Sequence, residues 1–243
     1  MPVHVEARSE HVRVVTLDRP ERRNALDDPT LESLADAVTG APAATRALVL
    51  RGSGGHFCSG ADLTVVEDTA FAARLRAVLT AFRAAPFPTI AAVEGAALGA
   101  GTQLAVACDL RTTAPGAQFG IPAAKLGLMV DHWTVQRLVT MAGQGTARAM
   151  LLAAEVLTGE DAHRLGLAQR LASPDDAQDW ADEIAAKAPL TITGHKLMLN
   201  ALDADLPDAP EVTAAFAAAW ASEDFAEGLA AFHDRRPATF KGR

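Results

Sequence analysis

Cysteine is scarce in this 243-residue chain, which holds only Cys58 and Cys108. Thiols this sparse give no disulfide framework and point to a reducing compartment, so the expected location is cytoplasmic. Positive charge is in deficit. A net charge of −8 argues against a polyanionic partner such as nucleic acid. It leaves room for a local cluster of arginines that holds the phosphates of a small ligand. The sequence does not open on a basic region followed by an apolar run, so no signal peptide is read. Long apolar runs are missing too. The stretch over residues 90–110 is broken by Glu94, several glycines and Asp109, too interrupted to span a bilayer. No group of His and Cys takes metal-ligand spacing, so no metal is expected. There is no repeat and no low-complexity tail. The composition that remains, 49% hydrophobic and 21% charged, is that of a soluble globular protein. It suffices for one sizeable α/β core and an appendage.

Val12-Arg13-Val14-Val15-Thr16-Leu17 reads as a strand ended by Asp18-Arg19-Pro20. Arg22-Arg23-Asn24-Ala25-Leu26 is then a basic loop. Asp28-Pro29 reads as a helix start with Asp28 as the cap. The apolar run Ala47-Leu48-Val49-Leu50 has the look of a strand covered on both faces. Phe71, Leu75, Val78, Leu79 and Phe82 share one face of a helix. Thr89-Ile90-Ala91-Ala92-Val93 is a second buried strand, leading through a Gly/Ala turn into a helix over residues 102–106. This alternation implies a parallel sheet with right-handed crossovers. Beyond about residue 175 the pattern is nearly all helical, over residues 180–187, 190–200, 211–219 and 224–233. The expected division is residues 1–189 as the core and residues 190–243 as a helical region.

Three stretches carry the chemistry. They are Phe57-Cys58-Ser59-Gly60-Ala61-Asp62-Leu63, Glu94-Gly95-Ala96-Ala97-Leu98-Gly99-Ala100-Gly101 followed by Thr102-Gln103-Leu104, and Ala117-Gln118-Phe119-Gly120-Ile121-Pro122 followed by Leu126-Gly127-Leu128. In this order and spacing the chain resembles the enoyl-CoA hydratase/isomerase (crotonase) superfamily. The resemblance runs from the Arg19-Pro20 segment to Arg235-Arg236-Pro237 and Phe240. It implies an α/β fold, a ClpP-like spiral of ββα units, with a C-terminal helical region that packs across subunits in a homotrimer or hexamer. The ligand it implies is an acyl thioester, with coenzyme A as part of the ligand rather than a covalently bound cofactor.

Chemistry beside a thioester carbonyl passes through an enolate-like state, which two backbone N–H groups aimed at the oxygen stabilise. By the resemblance these donors belong to Ala61 and Ala100, in loops whose glycines let the backbone come close. The helix that follows Ala100 adds its positive end. Arg22 and Arg23 fall where the family meets CoA phosphates, and Ser59, Gly60, Ala61, Asp62 and Leu63 resemble its adenine-contacting backbone. Gly99-Ala100-Gly101 is not a dinucleotide loop, because Leu104 stands where the third glycine belongs.

The resemblance fails at the two glutamates with which hydratases hold and move the protons of one water. Gln103 and Ala123 occupy those places, and neither transfers a proton at neutral pH. The expected function is therefore acyl-CoA binding with hydratase activity weak or absent. One carboxylate remains, Asp131, eight residues after Ala123. It matches an aspartate of the dienoyl-CoA isomerase and aroyl-CoA dehalogenase branches, which gives a second reading: an isomerase, dehalogenase or other enolate-forming enzyme. Asp131 also suits the cap of a helix over residues 132–141. A third reading is a regulatory or structural partner with a vestigial pocket. Trp133 is a candidate for the acyl pocket as well as for the core. Cys58 reads as a small buried residue.

Overall fold

Among the described residues nine strands run in chain order: β1 (Val3–Ala7), β2 (Val12–Leu17), β3 (Ala47–Gly52), β4 (Thr89–Val93), β5 (Ala96–Leu98), β6 (Leu110–Thr113), β7 (Gln118–Gly120), β8 (Val156–Thr158) and β9 (Arg170–Leu171). The computed structural model describes residues 1–62, 69–126, 129–202, 214, 218 and 221–243. The described strands form a six-stranded sheet in the order β1-β2-β3-β4-β6-β9 and a three-stranded sheet in the order β5-β7-β8. The large sheet is parallel except for the β1–β2 hairpin, and β8 runs antiparallel to β7. The sheets are therefore mixed, where strand–helix alternation alone implied a parallel one. A short hairpin can pair antiparallel without a helical crossover.

The continuous apolar runs have a direct explanation. In β3, Leu48 and Leu50 join one hydrophobic cluster while Ala47 and Val49 join another. β2 and β4 divide in the same way, because successive side chains of a strand face opposite sides. The larger cluster is closed by α1 (Asp28–Thr39) and α2 (Thr69–Ala84), and the smaller by α6 (Pro174–Ala185). α6 begins with a capping box between Ser173 and Asp176 and has Pro174 in its first turn.

The start of α1 differs from the sequence expectation. Its cap is Asp27, whose carboxylate accepts from Thr30 N at 3.0 Å. Asp28 is already helical and instead takes a paired contact from Arg74 of α2, at 2.8 and 2.6 Å. Two adjacent aspartates made the cap ambiguous; the partner on α2 decides it.

α3 (Ala100–Ala107) is buried along its whole length, so both its ends need partners inside the protein. Arg111 supplies them at the C-terminal end, donating to Ala105 O at 3.2 Å and Cys108 O at 2.7 Å. Arg137 of α4 (His132–Leu152) donates to Val106 O at 3.3 Å. Arg111 is 1% exposed, and burial pushes its pKa down to about 10. Two cations therefore lie at the negative end of α3, the arrangement its dipole favours.

α4 extends well past the expected residue 141 and changes direction at Gly143, which has φ 80°. α5 (Gly159–Arg164) follows β8. α7 (Pro189–Leu202) is tied to the core by Lys196, whose ammonium donates to Phe82 O, Phe87 O and Asp109 Oδ2 at 3.2, 2.9 and 2.7 Å. α8 (Glu223–Asp234) holds the chain end through Asp224, which accepts from Lys241 N and Gly242 N at 2.6 and 2.8 Å. The helix expected over residues 211–219 lies outside the described residues, apart from 214 and 218. No helix among the described residues is long and apolar enough to cross a membrane.

Candidate active site

The site begins with a buried asparagine. Asn24 has φ 57°, a left-handed conformation that Asn tolerates better than most residues. Its Oδ1 accepts from Arg19 N at 2.9 Å, and its Nδ2 donates to Ser53 O and His56 O at 2.9 and 2.7 Å. One side chain thus ties the basic loop to the loop after β3. The backbone continues the seam: Ser59 N donates to Arg23 O, Leu26 N to Gly60 O and Asp62 N to Leu26 O. Arg19 closes it from outside by pairing with Asp27 and Asp62 at 3.0 and 3.2 Å. Asn24→Ala removes three buried hydrogen bonds and is expected to destabilise the protein by about 2–3 kcal/mol in urea unfolding.

This seam aims a backbone donor. Leu26 forms a parallel bridge with Ala61 and uses both its polar groups on Gly60 and Asp62. In an extended segment the groups of the residue between them face the other way. The N–H of Ala61 accordingly has no acceptor among the described residues. The N–H of Ala100 is free for another reason, since it opens α3 and the first N–H groups of a helix have no partner within it.

Glycines bring the two donors together. Cys58 bridges Ala97 in parallel, so the first loop lies directly on β5. A side-chain carbon on Gly101 would fall 2.1 Å from Cys58 O, and one on Gly60 would fall 2.9 Å from Leu98 O and 3.8 Å from Ala100 N. Gly60 and Gly99 also have φ of 114° and 53°, values that other residues rarely adopt. Thr102 locks the far side: its hydroxyl lies 2.6 Å from Ala97 O, 2.9 Å from Gly120 O and 3.1 Å from Gly120 N.

Between the loops lies a cavity of about 290 Å³. Ser59, Gly60 and Ala61 line it from one loop, and Gly99, Ala100 and Gln103 from the start of α3. Pro122, Ala123 and Leu126 line it from the third motif. Phe71, Ala72 and Leu75 of α2, with Met129 and Val130, complete it. Gln103 and Ala123, far apart in sequence, therefore face one space. None of the described lining residues is a carboxylate.

The other candidates are placed as follows. Arg22 and Arg23 are exposed, and their carbonyls accept from Ser59 Oγ at 3.2 Å and Ser59 N at 2.9 Å. Leu63 lies outside the described residues. Asp131 caps α4, accepting from Thr134 N at 2.7 Å, and pairs with Arg76 at 2.5 Å. The lining includes Met129 and Val130 but not Asp131. Burial pushes the Asp131 carboxyl up, but its contacts with Thr134 and the Arg76 guanidinium outweigh that and hold it below the usual aspartate value. Trp133 belongs to the large hydrophobic cluster, with the Arg76 and Arg137 guanidinium groups 5.8 and 5.9 Å from its ring centroid. Cys58 and Cys108 are buried free thiols, and burial raises both to about 12. Such thiols are unreactive at neutral pH.

A depressed carboxyl stabilises the fold above its unfolded value and loses that contribution as pH falls through its folded value. Asp131→Asn keeps a capping side chain and loses only the partly exposed pair with Arg76. Unfolding at pH 7 is expected to shift by less than about 1 kcal/mol, and the gap from wild type to close as the medium is acidified below about pH 4.

Sequence reasoning missed Asn24 as the staple, although its place between a basic loop and an apolar strand start was a usable signal. It placed Phe71 and Leu75 on one face of a helix without assigning them to the cavity, because periodicity marks an apolar face without saying whether protein or ligand covers it.

Comparison with known proteins gives the family and the fold. A family model described as enoyl-CoA hydratase/isomerase matches residues 7–243. The probable enoyl-CoA hydratase of Mycobacterium leprae is 44% identical over 244 residues, covering 96% of this chain and 97% of that protein. The crotonyl-CoA hydratase of Syntrophomonas wolfei is 34% identical over 248 residues, covering 96% and 95%. Among solved structures, an enoyl-CoA hydratase from Bacillus anthracis superposes with a TM-score of 0.89 at 27% identity, covering 100% of both chains. One from Mycobacterium tuberculosis H37Rv gives 0.86 at 33% identity, covering 100% of this chain and 99% of that one. The chain has the crotonase fold and belongs to the enoyl-CoA hydratase/isomerase family.

Proposed function

We propose that this chain binds acyl-CoA thioesters and hydrates enoyl groups slowly or not at all. The thioester oxygen lies between the N–H groups of Ala61 and Ala100, and the acyl chain enters the space lined by Phe71, Leu75 and Val130. The lining of that cavity carries the reading. It offers two free backbone donors, and Gln103 and Ala123 are the side chains at the places where the family's hydratases keep glutamates. Polarisation of the carbonyl is supplied, while proton transfer to or from water is not.

Arg22 and Arg23 complete the ligand site. Arg19 is already engaged by two aspartates, whereas the exposed guanidinium groups of Arg22 and Arg23 have no ion-pair partner among the described residues. Arginine matches the oxygens of a phosphate through its fork of donors. Calorimetry is expected to show butyryl-CoA binding and butyrate binding at least about a hundredfold more weakly, with the CoA affinity falling in salt. Equal affinities for thioester and free acid would remove the basis for a CoA site.

A further inference from the structure

We propose that the opposite edge of the large sheet carries a separate site, for a small organic carboxylate with an aromatic or branched apolar body. A cavity of about 600 Å³ lies there, within the size range of small-molecule sites. Thr45 and Arg46 line it just before β3, Phe87 just before β4, and Pro189 where α7 begins. It shares no lining residue with the acyl cavity, which lies past the other ends of the same strands. The proposal is therefore independent of the acyl-CoA reading.

The polar groups point to an anion. A recess of about 30 Å³ shares Thr45, Arg46, Phe87 and Pro189 with the cavity and adds Lys187. Thr45 is 7% exposed, and its hydroxyl is buried with no hydrogen-bond partner among the described residues. A hydroxyl so placed bears its desolvation cost until a ligand atom reaches it. Arg46 and Lys187 also serve the end of α6, donating to Ala185 O at 3.4 Å and Glu183 O at 2.8 Å. The Arg46 contact is long and leaves most of its planar fork free, the shape that matches a carboxylate. Neither cation has an ion-pair partner among the described residues, and nor does Lys241, a third cation in the lining. Against these three stands Glu10, which is exposed. The recess has room for only a few atoms, which suits a carboxylate better than a phosphate.

The walls define the body. Pro42, Phe87 and Pro189 line one part of the cavity, and Phe240 lines another. Rings of this kind offer broad apolar contact. The segment that carries Phe240 is fastened on both sides. Thr239 N donates to Glu227 Oε1 at 2.9 Å, and Asp224, 3% exposed, accepts from Lys241 N and Gly242 N at 2.6 and 2.8 Å. Phe240 and Lys241 are thus held beside the cavity.

Isothermal titration of the full chain with phenylpropionate, its neutral amide and inorganic phosphate tests the assignment. Phenylpropionate is expected to bind with a dissociation constant below about 1 mM and about tenfold more tightly than the amide. Added butyryl-CoA is expected not to displace it. Thr45→Val removes the hydroxyl at nearly constant shape. It is expected to unfold no earlier than wild type and to weaken phenylpropionate about fivefold, an effect a merely structural hydroxyl would not have. Arg46→Gln is expected to abolish the margin over the amide. Carboxylate and amide binding alike, phosphate binding more tightly than phenylpropionate, or no saturable binding would overturn the proposal. So would displacement by butyryl-CoA, or undiminished binding by both variants.

Discussion

Crotonyl-CoA incubated with this protein is expected to stay unhydrated, with turnover at least about 10²-fold below that of a hydratase carrying both glutamates. Hydration places a hydroxyl on carbon 3 and a proton on carbon 2. Some group must take a proton from the attacking water, and some group must deliver one to carbon 2. Gln103 and Ala123 do neither. Asp131 is turned to Thr134 N and Arg76 and does not line the cavity. Its lowered pKa leaves it a weak base at neutral pH. The double substitution Gln103→Glu with Ala123→Glu returns two carboxylates to one cavity. Each positioned acid or base contributes about 10²–10⁴-fold, so the double variant is expected to hydrate crotonyl-CoA at least about 10²-fold faster than wild type. Ordinary hydratase turnover by the wild-type protein, purified away from host enzyme, would defeat this account of the reaction.

Gly101→Ala is expected to have a large structural effect on the site. Its new carbon would fall 2.1 Å from Cys58 O, 2.9 Å from the Cys58 carbonyl carbon and 3.1 Å from its Cβ. Backbone must move, and α3 and the first loop have to separate. A loss of about 3 kcal/mol in unfolding free energy and a marked loss of acyl-CoA binding are expected together. Gly116→Ala is the control. It is an exposed turn position with nothing within 4 Å of the added carbon, so it should change stability by less than about 1 kcal/mol. If the two variants unfold alike, the close contact between the loops is not what holds the donors in place.

Much of the architecture is legible in the sequence. The strand over Thr89–Val93 carries its own signature, and β2 and β3 read nearly as well, because residues covered on both faces leave little room for polar side chains. The glycines of the two loops pointed to close backbone approach, and Gly60 and Gly101 show it, while Gly99 serves through its positive φ. Features that depend on a distant partner were not legible. Nothing near Asp28 in sequence announces Arg74, and nothing near Asp131 announces Arg76. The two arginines that close the end of α3 come from β6 and α4, and no local pattern connects them to the helix they serve. That Gln103 and Ala123 share one cavity is likewise a matter of topology: β5 and β7 are neighbours in the small sheet, which brings the segments that follow them together.

The central claim is that Ala61 and Ala100 hold a thioester oxygen with their backbone N–H groups. A crystal structure of the protein with a bound acyl-CoA tests it most directly. The account predicts the thioester oxygen at about 3 Å from both amide nitrogens, with the acyl chain passing Gln103 and the phosphates near Arg22 and Arg23. A thioester bound with its oxygen away from both nitrogens, or an acyl chain outside this cavity, would contradict it.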